Sequence, residues 1–416
     1  MGDSHITFDH WEGCYADRVA NIPSSATRDL FGAASRADMI SLSGGMPDIR
    51  VMPEEVLKTA LDSMLDNKNE ALQYGSTDGR VQTKKIIIEL MEDIGVNGLA
   101  PEDIIITSGS QQALDLIGKV FINPGDTIIT EAPTYLGALQ AFSAYQPNVR
   151  AVPFDDEGMR MDLLEELLKE LGNRGAKFLY TIPTFQNPGG VTMTLERRKR
   201  LLELCHEYDI TILEDDPYSR LRFDGEPVPS LRSMDPNVVY LGTFSKIFAP
   251  GLRVAWVIAP RAILQKINLC KQGADLCGSA FNQILAEKYF TLTPWKETLA
   301  SYVETYKRRR DALLQACEEY LPEEVSYTHP EGGFFIWLTL PDYINTDQLL
   351  PRALDRGVTF VPGSGCYPDK TSNSMRLAFC YESEEDLTEG IKRISKVIDE
   401  RLIMYRALKR DGLIVD

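Results

Sequence analysis

From about residue 75 to residue 290, short runs of apolar and β-branched residues alternate with segments of helical periodicity. The runs are apolar throughout, which is typical of parallel strands covered by helices on both faces. We therefore predict an α/β fold with a mostly parallel seven-stranded sheet. The last strand is predicted to be antiparallel, because residues 242–252 before it show no helical period for a crossover. The predicted strands are residues 103–107, 127–130, 149–153, 178–182, 210–214, 238–241 and 254–258.

The pattern changes after Pro294. Residues 295–320 read as one long helix, and strands are predicted further on at 332–338, 358–362 and 374–379, separated by helical segments. This arrangement indicates a second, smaller α+β domain. We predict an N-terminal arm with part of the small domain over residues 1–50, a large domain over 51–295, and a linking helix with the C-terminal small domain over 296–416.

Composition narrows the possible functions. A formal net charge of −17 opposes nonspecific nucleic-acid binding, which needs Lys and Arg to neutralise phosphates. No apolar run approaches the roughly 18–20 residues that span a bilayer, and the first residues lack the pattern of a secretory signal. Seven scattered cysteines and only four histidines predict reduced thiols and no metal site. We expect a cytoplasmic protein without nucleic-acid or membrane partners.

Several chemically useful residues come just after predicted strands. Ligands of open α/β sheets bind in the crevice outside the carboxyl ends of the strands. We therefore expect these side chains to converge on one crevice, although they are far apart in the chain. They are Ser110, Tyr135, Asn187, Asp215 and Lys246.

The segment 109–111 joins a predicted strand to a helix. Free amides and the dipole at a helix N-terminus suit a phosphate, and the Ser110 hydroxyl adds a donor. Taken alone, Ser110 is more often an ordinary N-cap. Arg253 supplies a fixed cation suited to phosphate, and the hydroxyls of Thr243 and Ser245 are further donors.

Asp215 ends an apolar strand, where a carboxylate is costly unless it is paired. Opposite a pyridine nitrogen it keeps that nitrogen protonated and makes the ring an electron sink. Asp216 is the competitor, and the Asp-x-x-Tyr spacing to Tyr218 favours Asp215. The alternative for this acidic pair is a capped turn before Pro217.

Lys246 follows a buried strand in a Ser/Thr-rich turn, whereas most lysines are solvated surface charges. An amine must be neutral to attack an aldehyde, so burial and nearby positive charge are expected to lower its pKa. With Asp215, Asn187 and the phosphate donors, it completes the parts that hold pyridoxal phosphate.

Two further residues have both a functional and a structural interpretation. Tyr135 is placed to stack on a cofactor ring, but a buried aromatic after a strand is as often plain core. Arg376 is a lone cation among apolar residues. Its guanidinium suits a substrate α-carboxylate, and the alternative is a structural ion pair.

The ordered set resembles the fold-type I pyridoxal-phosphate enzymes of the class I/II aminotransferase family, in particular the branch that holds 2-aminoadipate and kynurenine aminotransferases. The resemblance runs from about residue 28 to residue 384. Its motifs are Ser-Leu-Ser-Gly-Gly-Met-Pro-Asp (41–48), Leu-Gln-Tyr-Gly (72–75), Thr-Ser-Gly-Ser-Gln-Gln-Ala-Leu-Asp (107–115), Glu-Ala-Pro-Thr-Tyr (131–135), Gln-Asn-Pro-Gly-Gly (186–190), Glu-Asp-Asp-Pro-Tyr (214–218), Phe-Ser-Lys (244–246), Pro-Gly-Leu-Arg (250–253), Lys-Gln-Gly-Ala-Asp-Leu (271–276) and Met-Arg-Leu (375–377).

The resemblance implies an aspartate-aminotransferase-like fold with pyridoxal phosphate in the large domain. Lys246 is implied to react with the cofactor aldehyde and to carry the proton of the substrate Cα, with Asp215 at the ring nitrogen. Tyr218 and Asn187 are implied to contact the phenolic oxygen, and Tyr135 to stack on the ring. The residues implied around the phosphate are Ser110, Gln111, Thr243, Ser245 and Arg253.

The resemblance also implies substrate contacts and a homodimer. Gly45, Asn187 and Arg376 match positions that hold the substrate α-carboxylate, and Tyr74 matches a tyrosine that reaches the phosphate in the neighbouring subunit. Arg28 aligns with an arginine that meets a distal carboxylate in aminoadipate-preferring relatives. A surface arginine on a helix is an equal alternative for Arg28.

The implied activity is a ping-pong transamination from an L-amino acid to a 2-oxo acid, with 2-oxoglutarate as the expected acceptor. Glutamate, 2-aminoadipate and branched-chain or aromatic amino acids are the candidate donors. One alternative is a lyase, decarboxylase or oxidase on the same scaffold, since Lys246 and Asp215 serve them all. The other is a transcription regulator, which needs a winged-helix domain for which Gly44 and Gly45 come too early.

Overall fold

The computed structural model describes residues 10, 11, 13–20, 39–411 and 413. Its strands are β1 (Ile40–Ser41), β2 (Ile104–Thr107), β3 (Thr127–Ala132), β4 (Asn148–Asp155), β5 (Gly158–Met159), β6 (Phe178–Thr181), β7 (Thr211–Asp216), β8 (Val239–Thr243), β9 (Ala255–Ile258), β10 (Ser326–Tyr327), β11 (Phe335–Thr339), β12 (Val358–Thr359), β13 (Val361–Pro362) and β14 (Ser374–Ala378).

The α-helices are α1 (Asp17–Ala20), α2 (Glu54–Asp62), α3 (Lys68–Ala71), α4 (Val81–Glu92), α5 (Gly109–Phe121), α6 (Leu136–Ser143), α7 (Met161–Leu171), α8 (Leu195–Glu207), α9 (Leu231–Met234), α10 (Arg261–Asp275), α11 (Ala280–Leu292), α12 (Trp295–Tyr320), α13 (Thr346–Asp355) and α14 (Glu384–Arg410). Short 3-10 helices lie at Ile49–Val51, Ser63–Asn67, Pro101–Asp103, Pro250–Leu252 and Gly363–Cys366.

The central sheet has the strand order β2-β9-β8-β7-β6-β3-β4-β5. Strands β8, β7, β6, β3 and β4 are parallel to their neighbours in this series. Strand β9 is antiparallel to both β2 and β8, so β2 runs in the same direction as β8. The predicted α/β fold and the antiparallel last strand are therefore confirmed, and the carboxyl ends of the parallel strands share one edge.

The prediction of seven strands misses β5. This two-residue strand forms an antiparallel hairpin with the end of β4, where Asp155 pairs with Gly158. Gly158 has a φ of +100°, which a residue with a side chain rarely adopts. Two residues are too few to show a period, so the hydrophobic pattern did not reveal the strand.

Apolar clusters cover both faces of the central sheet. Leu114 of α5 and Phe142 of α6 belong to a cluster with Leu213 of β7. On the opposite face, Leu164 of α7 packs in a cluster with Ile212, the neighbour of Leu213 in the same strand. Successive side chains of a strand point to opposite faces, so a strand buried on both sides has to be apolar at nearly every position.

A second sheet has the order β10-β11-β14-β13, with antiparallel neighbours, while β1 pairs in parallel with β12. The strand predicted at 358–362 is two strands, because β12 and β13 belong to different sheets. The helix predicted over 295–320 has those bounds as α12. The domain division at residues 50 and 295 stays a prediction. In the described segments, no helix is both long and apolar enough to cross a bilayer.

Candidate active site

A cavity of about 580 Å³ opens at the carboxyl ends of β2, β3, β6, β7 and β8. Among the predicted site residues, Tyr74 is 80% exposed and does not line it, and Arg28 lies outside the described residues. A larger groove of about 770 Å³, next to β4 and β11, is lined by none of the predicted site residues that the structure describes. The predicted residues that line the smaller cavity are Gly45, Ser110, Gln111, Tyr135, Asn187, Asp215, Tyr218, Thr243, Ser245, Lys246, Arg253 and Arg376.

One end of the cavity has the chemistry of an anion site. Helix α5 begins at Gly109 directly after β2, and the buried Ser110 Oγ has no hydrogen-bond partner among the described residues. A Cβ at Gly109 would lie 2.1 Å from Nη2 of Arg253. A helix N-terminus, an unused hydroxyl and a guanidinium packed this closely fit a phosphate group.

The neighbouring side chains at this end are already ordered. The Thr243 hydroxyl donates to Ser245 Oγ at 2.9 Å and accepts from the Ser245 amide at 3.1 Å. Gln111 donates from Nε2 to the Gly137 carbonyl at 2.8 Å. These bonds fix the turn that precedes Lys246 and the first turn of α5.

Asp215 and Asp216 point to opposite sides of β7. Asp215 lines the cavity and accepts a hydrogen bond of 2.9 Å from the hydroxyl of Tyr180. Asp216 accepts from Tyr240 at 2.9 Å and from the Ser219 amide at 3.0 Å. The capped turn considered for the acidic pair is therefore made by Asp216, and Asp215 is left facing the cavity.

Burial raises the pKa of Asp215 to about 7, although the Tyr180 hydrogen bond acts in the opposite direction. Such a carboxyl gains most from a cation or a protonated ring beside it, because that partner compensates the cost of burying the charge. The site therefore fits the ring nitrogen of a pyridine cofactor.

Lys246 presents its amine within the same cavity. Its Nζ donates a hydrogen bond of 2.8 Å to the Gly45 carbonyl. Burial lowers its pKa to about 8, and the positive charges of Arg376 and Arg253 act in the same direction. With this pKa about a tenth of the amine is neutral at pH 7, far more than for an ordinary lysine, and nucleophilic attack on an aldehyde requires the neutral form.

Arg376 is buried without a carboxylate partner in the described part of the chain. Its Nη1 donates to Asn187 Oδ1 at 3.0 Å and its Nη2 to the Ser43 carbonyl at 2.7 Å. The Nε has no partner among the described residues, and the guanidinium lies 4.2 Å from the ring centroid of Phe335. The structural ion pair considered for Arg376 is absent from these contacts, so its charge is available to an anion.

Asn187 connects Arg376 with Tyr218. Its Nδ2 lies 3.5 Å from the Tyr218 hydroxyl, a long contact that leaves both groups able to bind a ligand oxygen. Burial raises the pKa values of Tyr218 and Tyr135, so both phenols stay protonated and able to donate.

The sequence interpretation missed two groups beside the cavity. The sequence pattern places Tyr180, the partner of Asp215, in a strand and indicates no further role for it. Glu131 is buried with its pKa raised to about 7 by burial, and it accepts from Thr181 Oγ1 at 2.8 Å and Gln186 Nε2 at 3.1 Å. It thus anchors the residue before Asn187. Polar residues inside apolar strands were the available signal, because each needs a partner.

Comparisons with known proteins agree with this chemistry. A family model described as aminotransferase class I and II matches residues 37–394. An aromatic-amino-acid aminotransferase of Thermococcus litoralis is 46% identical over 398 residues, which are 94% of this chain and 95% of that protein.

Two solved structures are similar over nearly the whole chain. Pyrococcus horikoshii kynurenine aminotransferase, in complex with PMP, is 44% identical with a TM-score of 0.90, and the match covers 94% of this chain and 98% of that one. An alpha-aminoadipate aminotransferase from Thermus thermophilus, complexed with N-(5'-phosphopyridoxyl)-L-leucine, is 36% identical with a TM-score of 0.88. This match covers 95% of this chain and 99% of that one.

These matches confirm the resemblance stated from the motifs and the aspartate-aminotransferase-like fold. Enzymes of this family work with pyridoxal phosphate, and the cavity has groups that fit its phosphate, its ring nitrogen and its aldehyde. The chain therefore belongs to the class I and II aminotransferase family, as a transaminase that depends on pyridoxal phosphate.

Proposed function

We propose that the enzyme moves the amino group of an L-amino acid to a 2-oxo acid, with 2-oxoglutarate as acceptor, in two half-reactions of a ping-pong cycle. The observation that carries this proposal is the placement of Lys246, Asp215 and Arg376 around one cavity. It provides an amine of lowered pKa, a buried carboxyl and a guanidinium that has no carboxylate partner among the described residues.

When bound, pyridoxal phosphate supplies an aldehyde carbon and a ring that accepts the electron pair of the substrate Cα–H bond. Asp215 would hold a proton at the ring nitrogen, and Tyr135 would pack against the ring. Asn187 and Tyr218 would donate to its phenolic oxygen. The residues proposed to hold the phosphate are Ser110, Gln111, Thr243, Ser245 and Arg253.

Lys246 has two proposed tasks. Its neutral Nζ would hold the cofactor through the aldehyde carbon, and the amine, once free, would take the proton from the substrate Cα. The same nitrogen would also deliver a proton on the cofactor side. The lowered pKa serves both tasks, because a base that titrates near the working pH can accept a proton and release it again.

Arg376 is proposed to bind the substrate α-carboxylate together with Asn187 and the backbone at Gly45. The stacking on Phe335 and the bonds from Nη1 and Nη2 fix the guanidinium plane before substrate arrives. A guanidinium that is already held in one orientation loses little entropy when it binds a carboxylate in bidentate geometry.

The candidate donors are glutamate, 2-aminoadipate and branched-chain or aromatic amino acids. Among the described residues that line the cavity, the cations are Lys246, Arg253 and Arg376, and each already has a proposed task. A donor with a distal carboxylate therefore needs another cation, and Arg28 is the proposed one. Uncharged donors do not need it. The names of the relatives include both aromatic amino acids and aminoadipate.

A cytoplasmic homodimer is the proposed active unit. Tyr74 is 80% exposed and does not line the cavity of its own subunit. Leu65 and Leu72 nearby in the chain are 74% and 80% exposed, and exposed apolar groups of this kind favour a contact with another surface. We propose that this contact is the second subunit, with Tyr74 at the neighbour's phosphate.

Other chemistry on the same residues is the alternative. Lyases, decarboxylases and oxidases use the same amine and carboxylate, so geometry alone does not separate them from a transaminase. A regulatory role is the weaker alternative, and specific, salt-sensitive DNA binding by the purified protein is the result that would favour it.

The test is a single half-reaction. Purified holoenzyme is mixed separately with L-glutamate, L-2-aminoadipate, L-leucine and L-kynurenine, while the cofactor absorbance is followed and products are identified by mass spectrometry. Stoichiometric formation of pyridoxamine phosphate and the matching 2-oxo acid is the expected result. Cofactor spectra that change without pyridoxamine phosphate would point to a lyase or an oxidase instead.

The variant Arg28→Gln separates the donor classes. If Arg28 meets a distal carboxylate, the variant loses rate with glutamate and 2-aminoadipate and keeps its rate with leucine and kynurenine. An equal effect on all four donors assigns Arg28 no part in choosing between them. For both the wild type and the variant, D-glutamate is the control that shows whether the reaction is specific for the L-amino acid.

A further inference from the structure

Two tyrosines flank β7 in the same way, one on each face of the sheet. Tyr180 of β6 donates to Asp215 Oδ2, and Tyr240 of β8 donates to Asp216 Oδ2, both at 2.9 Å. Tyr180 lies opposite Leu213 and Tyr240 lies opposite Glu214 in the parallel registers. Because side chains alternate along a strand, only the Tyr180 pair faces the cavity.

Tyr180 is completely buried, and Asp215 is 3% exposed. No other hydrogen bond to the Asp215 carboxylate is formed by the described residues. Phe142 packs edge-on against the Tyr180 ring at 5.8 Å between centroids, which fixes the direction of the hydroxyl. The pair is therefore a buried donor and acceptor, and no other side chain in the described part of the chain competes for the carboxylate.

We propose that Tyr180 is a positioning residue for the amino-transfer reaction, whose hydroxyl keeps the Asp215 carboxylate ionised and oriented so that the shared proton stays on the cofactor ring nitrogen. This inference rests on the proposed role of Asp215. Tyr180 touches neither the aldehyde nor the substrate in this assignment, and it acts only through the carboxylate.

The direction of the effect follows from the charges around Asp215. Burial and the neighbouring Asp216 raise the pKa of Asp215, and the Tyr180 hydrogen bond lowers it. Tyr135 and Tyr218 also interact electrostatically with Asp215, but neither donates a hydrogen bond to it. A donor stabilises the carboxylate more than the carboxylic acid, so its loss moves the proton from the ring nitrogen toward Asp215.

The experiment compares Tyr180→Phe with Tyr240→Phe. Both remove one buried hydroxyl that is 2.9 Å from an aspartate of β7, so they match in burial, geometry and expected cost in stability. Each holoenzyme is reconstituted with pyridoxal phosphate carrying ¹⁵N in the ring, and the ¹⁵N shift is measured against pH. The rate of the half-reaction with the best donor is measured in parallel.

The expected result has three parts. Wild-type enzyme and Tyr240→Phe show a protonated ring nitrogen, while in Tyr180→Phe the ¹⁵N shift moves toward the unprotonated value. The half-reaction of Tyr180→Phe slows roughly ten- to a hundredfold, the size of a lost hydrogen bond to a charged group. The apparent affinity for the donor changes little, because the carboxylate-binding residues are untouched.

Two outcomes would overturn the inference, and they are distinguishable. A protonated nitrogen in Tyr180→Phe with a normal rate removes the role of Tyr180 and leaves the role of Asp215 intact. An unprotonated nitrogen already in the wild-type enzyme removes the role of Asp215 as well. Neither result touches the identification of products by the half-reaction test.

A second variant distinguishes the loss of the hydrogen bond from a folding defect in Tyr180→Phe. Fluorotyrosine incorporated at position 180 keeps the ring and is a stronger donor, because its hydroxyl is more acidic. It is expected to move the ¹⁵N shift in the opposite direction from Tyr180→Phe, or to leave it at the fully protonated value. A shift in the same direction as Tyr180→Phe would indicate a packing effect and contradict the proposal.

Discussion

The amine nitrogen of Lys246 lies 2.8 Å from the carbonyl oxygen of Gly45, a residue 201 positions earlier in the chain. Gly45 packs against Phe335, another residue of the cavity lining, so closely that a Cβ on Gly45 would lie 2.6 Å from Cζ of Phe335. The proposed nucleophile is thus held by the segment that follows β1, where the substrate carboxylate is proposed to bind. Substrate binding and the orientation of the amine are therefore expected to be coupled.

Removal of the amine tests the assignment of Lys246 directly. Lys246→Ala is expected to fold and to lose turnover by at least about a thousandfold, since a positioned proton-transfer group alone is worth about 10²–10⁴ in rate. Borohydride reduction of the holoenzyme followed by peptide mass spectrometry should find the pyridoxyl mass on Lys246 in the wild type and on no peptide of the variant. Normal turnover in a folded variant would contradict the whole assignment.

The lowered pKa of Lys246 predicts how cofactor uptake depends on pH. Only the neutral amine attacks, and its fraction rises as pH increases through the pKa of about 8. The rate of covalent uptake by the apoenzyme should therefore increase about tenfold per pH unit well below 8 and level off above it. Stopped-flow absorbance measures this profile, and a rise that continues beyond pH 10 would show an unshifted lysine.

Arg376→Lys keeps the charge but removes the planar guanidinium. The kcat/KM of this variant with amino acids is expected to fall about a hundredfold, because a lysine cannot bind a carboxylate in bidentate geometry. The rate with an amine that lacks the α-carboxylate should be unchanged. The matched control is Arg222→Lys, because Arg222 also lies over an aromatic ring, at 4.7 Å from Phe185, and is outside the cavity. Equal losses in the two variants would contradict the carboxylate role.

The proposed anion site predicts that a side chain at residue 109 weakens the binding of pyridoxal phosphate. In Gly109→Ala the new Cβ meets Arg253 at 2.1 Å at a φ of +76°. Gly125→Ala imposes a similar backbone strain at a φ of +84° but meets nothing within 4 Å. We expect the dissociation constant for pyridoxal phosphate to rise about tenfold or more only in Gly109→Ala, since Arg253 would have to move from its proposed place at the phosphate. Fluorescence titration of the apoenzymes distinguishes the two.

The edge of the sheet where ligands bind was predictable because it depends on strand direction, which the apolar runs and their crossovers reveal. Ser110, Asn187 and Asp215 come together for that reason alone. In the sequence, the spacing to Tyr218 favours Asp215 over Asp216. The structure gives a simpler physical reason, since alternate residues of β7 face opposite sides and only one of the two reaches the cavity.

Partners that meet across strands were not predictable in the same way. Tyr180 and Glu131 sit in apolar strands, and their partners are 35 and 55 residues away in the chain, at Asp215 and Gln186. The sequence shows that each polar group needs a partner, but the register that selects the partner is a property of the folded sheet.

Tyr74 provides the test of a site shared between subunits. Tyr74→Ala alone is expected to weaken pyridoxal phosphate binding about tenfold, because the proposed phosphate donor is lost. Mixing unfolded Tyr74→Ala and Lys246→Ala subunits and refolding them together gives mixed dimers. If the proposed sharing is correct, one site of each mixed dimer carries an intact Lys246 and receives Tyr74 from the other subunit.

At limiting cofactor, such a mixture should recover about a quarter of the wild-type activity, since half of the dimers form with one complete site each. The control mixture combines Lys246→Ala with the surface variant Ile403→Ala, whose native side chain is 63% exposed on α14. It shows how far the activity falls when Lys246→Ala subunits only dilute functional ones. If Tyr74 served its own subunit, every site in the first mixture would lack either the amine or the tyrosine. The mixture would then be no more active than the two variants refolded separately, because a complete site arises only when the two residues come from different chains.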